Sequence, residues 1–254
     1  GYAFLNRYLE VTGDYKGMRV FGLYFVYHCM ILAKVAAIRS TERSEVEERR
    51  HDIEQVKHNL AVAVRWIDAA RPGLIAMHGY SGSGKTWLSS RLMTLLPGIR
   101  VRSDIERKRL FGLDETARSQ SEPGEGIYAD RTNTLVYEKL IETAEELLDD
   151  GFNVIVDASF LRKDDRQILA TMARRNGVAT VFVDTKAGRS VLEQRLRQRE
   201  TDGKDASEAD TEILNFQLDV ADPLAADELE RTVCVVTDGT VDTDPIIKSI
   251  RSLY

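Results

Sequence analysis

From residue 74 onward, short apolar runs alternate with segments whose apolar residues recur at helical spacing. Helical spacing marks residues 136–148 and 168–175. Because buried strands that alternate with helices form a parallel sheet covered on both faces, the pattern predicts an α/β fold. The five predicted strands comprise residues 74–77, 98–104, 152–157, 179–184 and 231–236.

The first 70 residues have a different pattern, and we predict a helical segment at 1–70 followed by a domain at 71–254. Apolar residues cover nearly every side of the run at 20–33, which indicates a helix surrounded by other protein. This run is too short to span a bilayer, so no membrane partner is expected. Charged residues at 41–50 predict a solvated helix or linker. Because the sequence begins with Gly1, we expect a fragment whose missing N-terminal domain covers the apolar helix.

Composition narrows the functional classes. A chain of 254 residues with 43% hydrophobic residues can bury one α/β core. A net charge of −6 argues against a surface for duplex nucleic acid, so a nucleic-acid partner is not expected. Cys29 and Cys234 lie far apart in apolar runs, which predicts two buried free thiols and a reducing, cytoplasmic location.

Residues 79–86 have the pattern G-x-x-x-x-G-K-[ST] of a phosphate-binding P-loop. A predicted strand enters this loop and a predicted helix leaves it, as the motif requires. The glycines let backbone amides surround a phosphate, Lys85 reaches the β- and γ-phosphates, and the Thr86 hydroxyl holds Mg²⁺. The sequence therefore predicts ATP and Mg²⁺ as cofactors. The predicted nucleotide-binding residues are Gly79, Tyr80, Ser81, Gly82, Ser83, Gly84, Lys85, Thr86 and Trp87.

Polar residues follow the predicted strands at the edge where parallel sheets bind ligands. Asp104 follows the second strand beside a group of cations, where its carboxylate can accept the proton of an attacking hydroxyl. Arg107 can hold the acceptor. The alternative is that Asp104 only caps a helix with surface salt bridges. The fourth strand is expected to deliver Asp184 to the same edge.

Asp157 closes the third strand, where P-loop enzymes place a carboxylate that organises Mg²⁺ beside the substrate. The next residue is Ala158. A motor ATPase would need an acid there to activate water, so the pattern favours transfer to an acceptor over hydrolysis. Asp157 is therefore predicted both as a metal ligand and as part of the substrate site.

Arg195 and Arg199 lie one helical turn apart and share a face of a predicted helix. Their guanidinium groups can clamp the phosphates during transfer, or Arg195 can stack on adenine instead. The alternative is a charged helix with no role in chemistry. The polar segment at 200–210 is predicted to be a mobile lid, and residues 112–130 are expected to form part of the acceptor pocket.

Four segments together resemble the P-loop kinases grouped with gluconate kinase, zeta toxins, chloramphenicol phosphotransferase and polynucleotide kinases. They are GYSGSGKTW, the D-x-x-R from Asp104 to Arg107, VIVDASFLRKDDR and LEQRLRQRE. The resemblance covers about residues 74–254. It implies a three-layer P-loop NTPase fold of nucleoside-monophosphate-kinase type, with a parallel five-stranded sheet in the order 2-3-1-4-5. It also implies that Asp104 is the general base, that Arg107 binds the acceptor, and that Arg195 and Arg199 are lid arginines.

Residues 8–15 and the predicted helix at 27–39 resemble the tail of an aminoglycoside-phosphotransferase-like domain. In bacterial two-domain proteins such a domain precedes a P-loop kinase of this kind. The resemblance implies a covalently attached or docked N-terminal phosphotransferase-like domain as a partner.

Together these features predict an ATP-dependent phosphotransferase that moves the γ-phosphoryl group to a hydroxyl of a small-molecule or nucleotide-like acceptor. Lys85, Asp104 and Arg199 are its predicted catalytic residues. Three alternatives remain open at this point: a regulatory ATPase or nucleotide-binding switch without an acceptor, a toxin-like kinase of a nucleotide sugar, and a nucleic-acid end kinase.

Overall fold

The computed structural model describes residues 1–68, 72–114, 117, 130–202, 206–207 and 209–254. The chain forms two compact units, Gly1–Gly13 with Pro72–Tyr254, and Asp14–Arg71. The first 13 residues thus belong to the unit that contains the P-loop, whereas the sequence placed them in the helical segment at 1–70. Most of the predicted pocket segment at 112–130, and residues 203–205 and 208 of the predicted lid, lie outside the described residues.

The larger unit contains one five-stranded sheet in the order β2-β3-β1-β4-β5. All four strand pairs are parallel, which confirms the predicted fold class and strand order. The strands are β1 (Leu74–His78), β2 (Ile99–Arg102), β3 (Val154–Asp157), β4 (Thr180–Lys186) and β5 (Thr232–Val236).

Helices connect the strands and cover both faces of the sheet, as parallel pairing requires. The helices of the described chain are α1 (Tyr2–Thr12), α2 (Met18–Glu42), α3 (Val46–Ile67), α4 (Lys85–Leu95), α5 (Ser103–Leu110), α6 (Asp130–Asp149), α7 (Lys163–Arg175), α8 (Arg189–Asp202), α9 (Thr211–Val220), α10 (Ala226–Leu229) and α11 (Thr243–Leu253). A short 3-10 turn at Tyr15–Gly17 precedes α2. One face of the sheet packs on α4 and α11, where Leu88, Leu92 and Ile250 are fully buried.

Strand β2 forms one edge of the sheet, and α1 covers this edge. The Asn6 side chain donates to the Gly98 carbonyl at 2.9 Å and accepts from the Arg100 amide at 2.6 Å. The side-chain amide of Asn6 thus bonds the backbone of β2 as a neighbouring strand would. These backbone groups are then not available to pair with another chain. Glu10 of α1 also forms a buried ion pair with Arg100 at 2.6 Å.

The loop between β3 and α7 is fixed by a buried guanidinium. Arg166 is fully buried and donates to both carboxylate oxygens of Glu228, at 2.8 and 3.1 Å. It also donates to the carbonyls of Phe160, Leu161 and Pro223, each at 3.0 Å. A single side chain therefore joins this loop to the segment that precedes α10.

The smaller unit is a pair of helices, α2 and α3. The Trp66 ring of α3 packs on the Phe21 and Phe25 rings of α2, with centroids 5.7 and 4.7 Å apart. Buried Asp52 forms ion pairs with Arg39 and Arg43 at 3.3 and 3.4 Å. The charged segment predicted at 41–50 contains the end of α2 and the start of α3.

Helix α2 is mostly exposed in this chain, with Leu23, Tyr24 and Tyr27 all more than half exposed, so its expected cover by an N-terminal domain stays a prediction. The prediction that the apolar run is too short for a bilayer is wrong. Residues Tyr15–Glu42 are long and apolar enough to cross one by length and composition alone, with a mean hydropathy of 1.7. One such helix is weak evidence for a membrane span.

The two cysteines differ in environment. Both are free, and Cys29 is buried as predicted. Cys234 is exposed, because β5 is an edge strand and only Val235 of its five residues is buried.

The Arg166 contacts lead to a stability prediction. Arg166→Met should lower the free energy of unfolding by about 3–5 kcal/mol, because it leaves the Glu228 carboxylate buried without its cation. Arg175→Met on the same helix is the matched control, since Arg175 is 70% exposed and should cost at most about 1 kcal/mol. Urea unfolding measures both values. Equal losses in the two variants would contradict the role of the buried pair.

Candidate active site

A cavity of about 1020 Å³ lies at the carboxyl end of the sheet, where parallel sheets bind ligands. The P-loop, α5, α6, the β3–α7 loop, α8 and α9 all contribute to its walls. The predicted site residues that line it are Ser81, Gly82, Gly84, Lys85, Thr86, Trp87, Asp104, Arg107, Asp157, Arg195 and Arg199. Gly79, Tyr80 and Ser83 are not among these lining residues. The Gly79 and Tyr80 carbonyls accept hydrogen bonds from Lys85, and the Ser83 hydroxyl bonds the Thr185 hydroxyl.

The P-loop conformation depends on glycine at two positions in particular. Gly79 has φ 132°, and a Cβ there would come within 2.5 Å of the Thr185 carbonyl oxygen. Gly84 has φ 90° and immediately precedes α4. Because the first amides of a helix have no partner within the helix, the start of α4 presents donors suited to an anion.

The carbonyl groups of the P-loop are held by side chains. Lys85 donates to the Gly79 and Tyr80 carbonyls at 3.0 and 2.8 Å. Arg195 donates to the Gly82 carbonyl at 3.0 Å, and the Thr237 hydroxyl donates to the Ser83 carbonyl at 2.8 Å. With its carbonyls fixed in this way, the loop can turn amides toward the cavity.

Lys85 is the electrostatic centre of the site. Removal of its ammonium from water lowers the pKa of Lys85 to about 8, and the positive charge of Arg199 acts in the same direction. The carboxylates of Asp157 and Asp104 oppose this shift of the pKa. The charges of Asp104, Asp157 and Arg199, which the sequence placed in the site, therefore all influence the pKa of Lys85.

The residues predicted to hold Mg²⁺ fit that ion. Buried Asp157 ends β3 and accepts a hydrogen bond from the Ser89 hydroxyl of α4 at 2.9 Å. Thr86 lines the same cavity, and carboxylate and hydroxyl oxygens suit a hard cation. Across the residues that the structure describes, no group of three or more His, Cys, Asp or Glu could hold a metal. Few protein ligands are typical of Mg²⁺ held together with phosphates.

Asp104 and Arg107 lie one turn apart on α5, and both line the cavity. The helix begins at Ser103, directly after β2, so Asp104 is a first-turn residue rather than the helix cap. Arg107 is buried, and neighbouring Glu106 pairs with Arg109 on the same helix. The D-x-x-R spacing thus puts a carboxylate and a guanidinium in one cavity wall.

The two predicted lid arginines have different environments. Arg195 is bound to the P-loop carbonyl of Gly82 and to both the hydroxyl and the carbonyl of Thr237. These contacts make it a brace of the P-loop. Arg199 also lines the cavity and acts electrostatically on Lys85.

Asp184 does not reach the cavity, which corrects the prediction that the fourth strand delivers it there. Its carboxylate instead bonds His78 Nδ1 of β1 at 2.7 Å and forms an ion pair with Lys186 at 3.3 Å. Burial raises the pKa of Asp184, but these partners outweigh it and the net pKa is lowered.

Several cavity residues were missed by sequence reasoning. Tyr137 on α6 bonds the Ser159 hydroxyl at 3.0 Å and accepts from the Phe160 amide at 3.1 Å. Phe160 has φ 46° and is the one non-glycine residue with a positive φ in the described chain. The remaining cavity residues not predicted from the sequence include Arg100, Asn133, Thr134, Arg162, Asp165, Ile213, Phe216, Gln217 and Val220.

Curated relatives are uncharacterized proteins of Mycobacterium tuberculosis and Mycobacterium bovis, each 26% identical to this chain over 207 residues. These matches cover 80% of this chain and 40% of each relative. The chain therefore spans about 40% of the length of the curated relatives it matches.

Similar solved structures include a proposed kinase of Chloroflexus aurantiacus, with a TM-score of 0.56 and 23% identity. That match covers 73% of this chain and all of the other, and it shows a shared fold. A gluconokinase of Sinorhizobium meliloti has a TM-score of 0.46 and 21% identity, covering 72% and 90% of the two chains. The APS kinase of Mycobacterium tuberculosis, solved with AMPPNP and APS, has a TM-score of 0.49 and 16% identity over 71% and 98%.

A model of the AAA domain family, AAA_33, matches residues 74–224. This range begins with β1 and includes the P-loop, Asp104, Asp157, Arg195 and Arg199. Because the match extends over more than half of the chain, the protein belongs to this AAA domain family of P-loop proteins.

Proposed function

We propose that this protein is an ATP-dependent phosphotransferase that moves the γ-phosphoryl group to a hydroxyl of a small-molecule or nucleotide-like acceptor. The observation that carries the proposal is the convergence of Asp104, Asp157 and Arg199 on Lys85 within one cavity. Phosphoryl transfer needs positioning and charge stabilisation more than covalent chemistry, and these groups supply both.

In this proposal the P-loop binds the phosphate chain of ATP. Lys85 donates to the β- and γ-phosphates in place of its bonds to the Gly79 and Tyr80 carbonyls. Thr86 and Asp157 hold Mg²⁺, which supplies positive charge to the phosphate oxygens when it is bound. Arg195 keeps the loop in shape through the Gly82 carbonyl.

The acceptor binds on the other side of the same cavity. Asp104 accepts the proton from the attacking hydroxyl, and buried Arg107 orients the acceptor. Arg199 stabilises the charge that spreads over the phosphoryl oxygens during transfer.

An acceptor is favoured over a simple ATPase by two observations. Ala158 follows Asp157 and is buried, so that position offers no acid to activate water. The cavity also extends to a polar wall beyond the P-loop, where a bound molecule would meet Asn133, Thr134, Tyr137, Ser159, Arg162 and Asp165. A switch without an acceptor would have no use for such a wall. The partner domain expected from residues 8–15 and 27–39, and the cytoplasmic location, stay predictions.

The first prediction concerns the general base. Wild-type protein should phosphorylate at least one member of a panel of sugars, antibiotics, nucleosides and nucleotide sugars, detected by mass spectrometry. Asp104→Asn should lower kcat on that acceptor by roughly a hundredfold or more and leave the Kd for ATP nearly unchanged. Asp149→Asn, at the exposed end of α6 and outside the cavity, is the control. Rapid hydrolysis of ATP with no phosphorylated product would favour the ATPase alternative.

The second prediction uses the pKa of Lys85, which is lowered to about 8. Phosphate favours the charged ammonium, so bound nucleotide should raise this pKa and binding should take up a proton near pH 8. Affinity for ADP should therefore fall by up to about tenfold per pH unit above about pH 8. Calorimetry in buffers of different ionisation enthalpy measures the proton uptake.

Lys85→Arg is the matched variant for this pH dependence, because a guanidinium stays protonated throughout the range. It should bind ADP more weakly overall, with an affinity that does not change between about pH 7.5 and about pH 9.5. An equal pH dependence in the wild type and in Lys85→Arg would mean that another group titrates.

The third prediction separates the roles of Arg195 and Arg199, the two arginines of α8 that line the cavity. Arg199→Ala should lower kcat by roughly tenfold or more with little change in the Kd for ATP, and Arg199→Lys should restore only part of it. Arg195→Ala should instead weaken nucleotide binding, because the P-loop loses its brace at Gly82. Exposed Arg197→Ala is the control on the same helix. Identical kinetics in all three alanine variants would contradict both roles.

A further inference from the structure

Helix α9 forms part of the cavity wall, with one of its faces turned toward the cavity. Asp210 caps the helix by accepting from the Glu212 and Ile213 amides, both at 2.9 Å. The cavity-lining residues of α9 recur at helical spacing, so they share one face. They are Ile213, Phe216, Gln217 and Val220.

Helix α9 is tied to neighbouring elements at two points. In its middle, Arg189 of α8 donates to the Asn215 side chain at 2.9 Å. After its end, the Asp222 amide donates to the Leu161 carbonyl, and the Asp222 carboxylate accepts from the Lys163 amide, each at 2.9 Å. The helix therefore joins α8 to the β3–α7 loop on the acceptor side of the cavity.

Gln217 is the polar residue on this inward face, and it contacts the P-loop directly. The Ser81 amide donates to Gln217 Oε1 at 2.8 Å. The donor is a backbone N–H, so the oxygen of the Gln217 amide must face it and the NH₂ group is the other end. A side-chain carbonyl thus occupies a backbone donor of the P-loop at a residue that lines the cavity, and the backbone donors of such loops bind phosphate oxygens.

A phosphate oxygen can replace this carbonyl. A hydrogen bond to a charged acceptor is roughly twice as strong as one to a neutral acceptor, so a phosphate oxygen should displace Gln217 from the Ser81 amide. The displaced Gln217 side chain would remain beside the phosphate, with two N–H groups to donate. Gln217 lines the same cavity as Asp104 and Arg199, which the proposed function places at the transferred group, so we take the phosphate that it would meet as the terminal one.

We infer that Gln217 is a nucleotide-binding residue that detects the terminal phosphate. It holds the Ser81 amide until a triphosphate binds, then releases it and donates its own N–H to the γ-phosphate. Through α9 this exchange reaches the β3–α7 loop, so the acceptor side registers which nucleotide is bound. The inference rests on the proposed function, because it requires that the P-loop bind ATP.

The test compares two nucleotides that differ in the terminal phosphate. Calorimetry measures the Kd of ADP and of a non-hydrolysable ATP analogue with Mg²⁺, and the ratio of the two is the readout. Gln217→Glu replaces the donor with a carboxylate that repels the γ-phosphate. It should lower the preference for the ATP analogue over ADP by roughly tenfold or more. A loss of fold would weaken both nucleotides and leave the ratio unchanged.

Two further variants complete the design. Gln194→Glu makes the same amide-to-carboxylate change at an exposed position of α8 outside the cavity, and its ratio should equal that of the wild type. Gln217→Leu removes both the carbonyl and the donor without adding charge, so it should keep ADP binding and lose part of the preference for the triphosphate.

The outcomes separate the inference from the proposed function. If wild type binds both nucleotides and Gln217→Glu keeps the wild-type ratio, Gln217 does not detect the γ-phosphate, although the kinase proposal stands. If Gln217→Glu and Gln217→Leu weaken both nucleotides equally, Gln217 only supports the P-loop and the inference is overturned. If wild type binds neither nucleotide, the proposed function and the inference fail together.

Discussion

The site depends on a half-buried lysine whose ammonium is partly desolvated in the cavity wall. Lys85 can stay charged there only because the Gly79 and Tyr80 carbonyls accept its hydrogen bonds and because Asp157 and Asp104 lie within electrostatic range. The same two hydrogen bonds from Lys85 hold the P-loop backbone in its turn around the lysine side chain. Arg195 fixes a further carbonyl from outside the loop. A charge kept out of water in this way acts more strongly on a phosphate than an exposed lysine would.

The acceptor side is rigid for a different reason. Phe160 is held at φ 46°, a strained conformation for a residue with a side chain, by the Tyr137 hydroxyl on its amide and by Arg166 on its carbonyl. The Ser159 carbonyl accepts from the Gly79 amide at 3.2 Å, which joins this loop to the P-loop. Both sides of the cavity are therefore positioned relative to each other before any ligand binds, and such preorganisation is the main requirement of phosphoryl transfer.

Sequence reasoning predicted what is encoded locally. The P-loop, the strands and the D-x-x-R pair each lie within a few consecutive residues, and the structure confirms the predicted fold. Gln217 meets Ser81 across 136 positions of sequence, and no local pattern marks that contact. Asp184 was misplaced because side chains alternate between the faces of a strand, and its face leads to His78. Cys234 was misjudged because strand periodicity does not distinguish an edge strand from a central one.

The placement of α9 bears on the choice between transfer and hydrolysis. Three of its four cavity residues, Ile213, Phe216 and Val220, are apolar, and they lie on the helix face that carries Gln217 to the P-loop. If the terminal phosphate lies beside this surface, as we propose, the apolar side chains disfavour ordered water there and so disfavour attack by water. Polar groups that could bind the proposed acceptor line the cavity from α5, α6 and the β3–α7 loop. An apolar wall from α9 opposite polar groups on these elements is an arrangement that suits the proposed transfer better than hydrolysis.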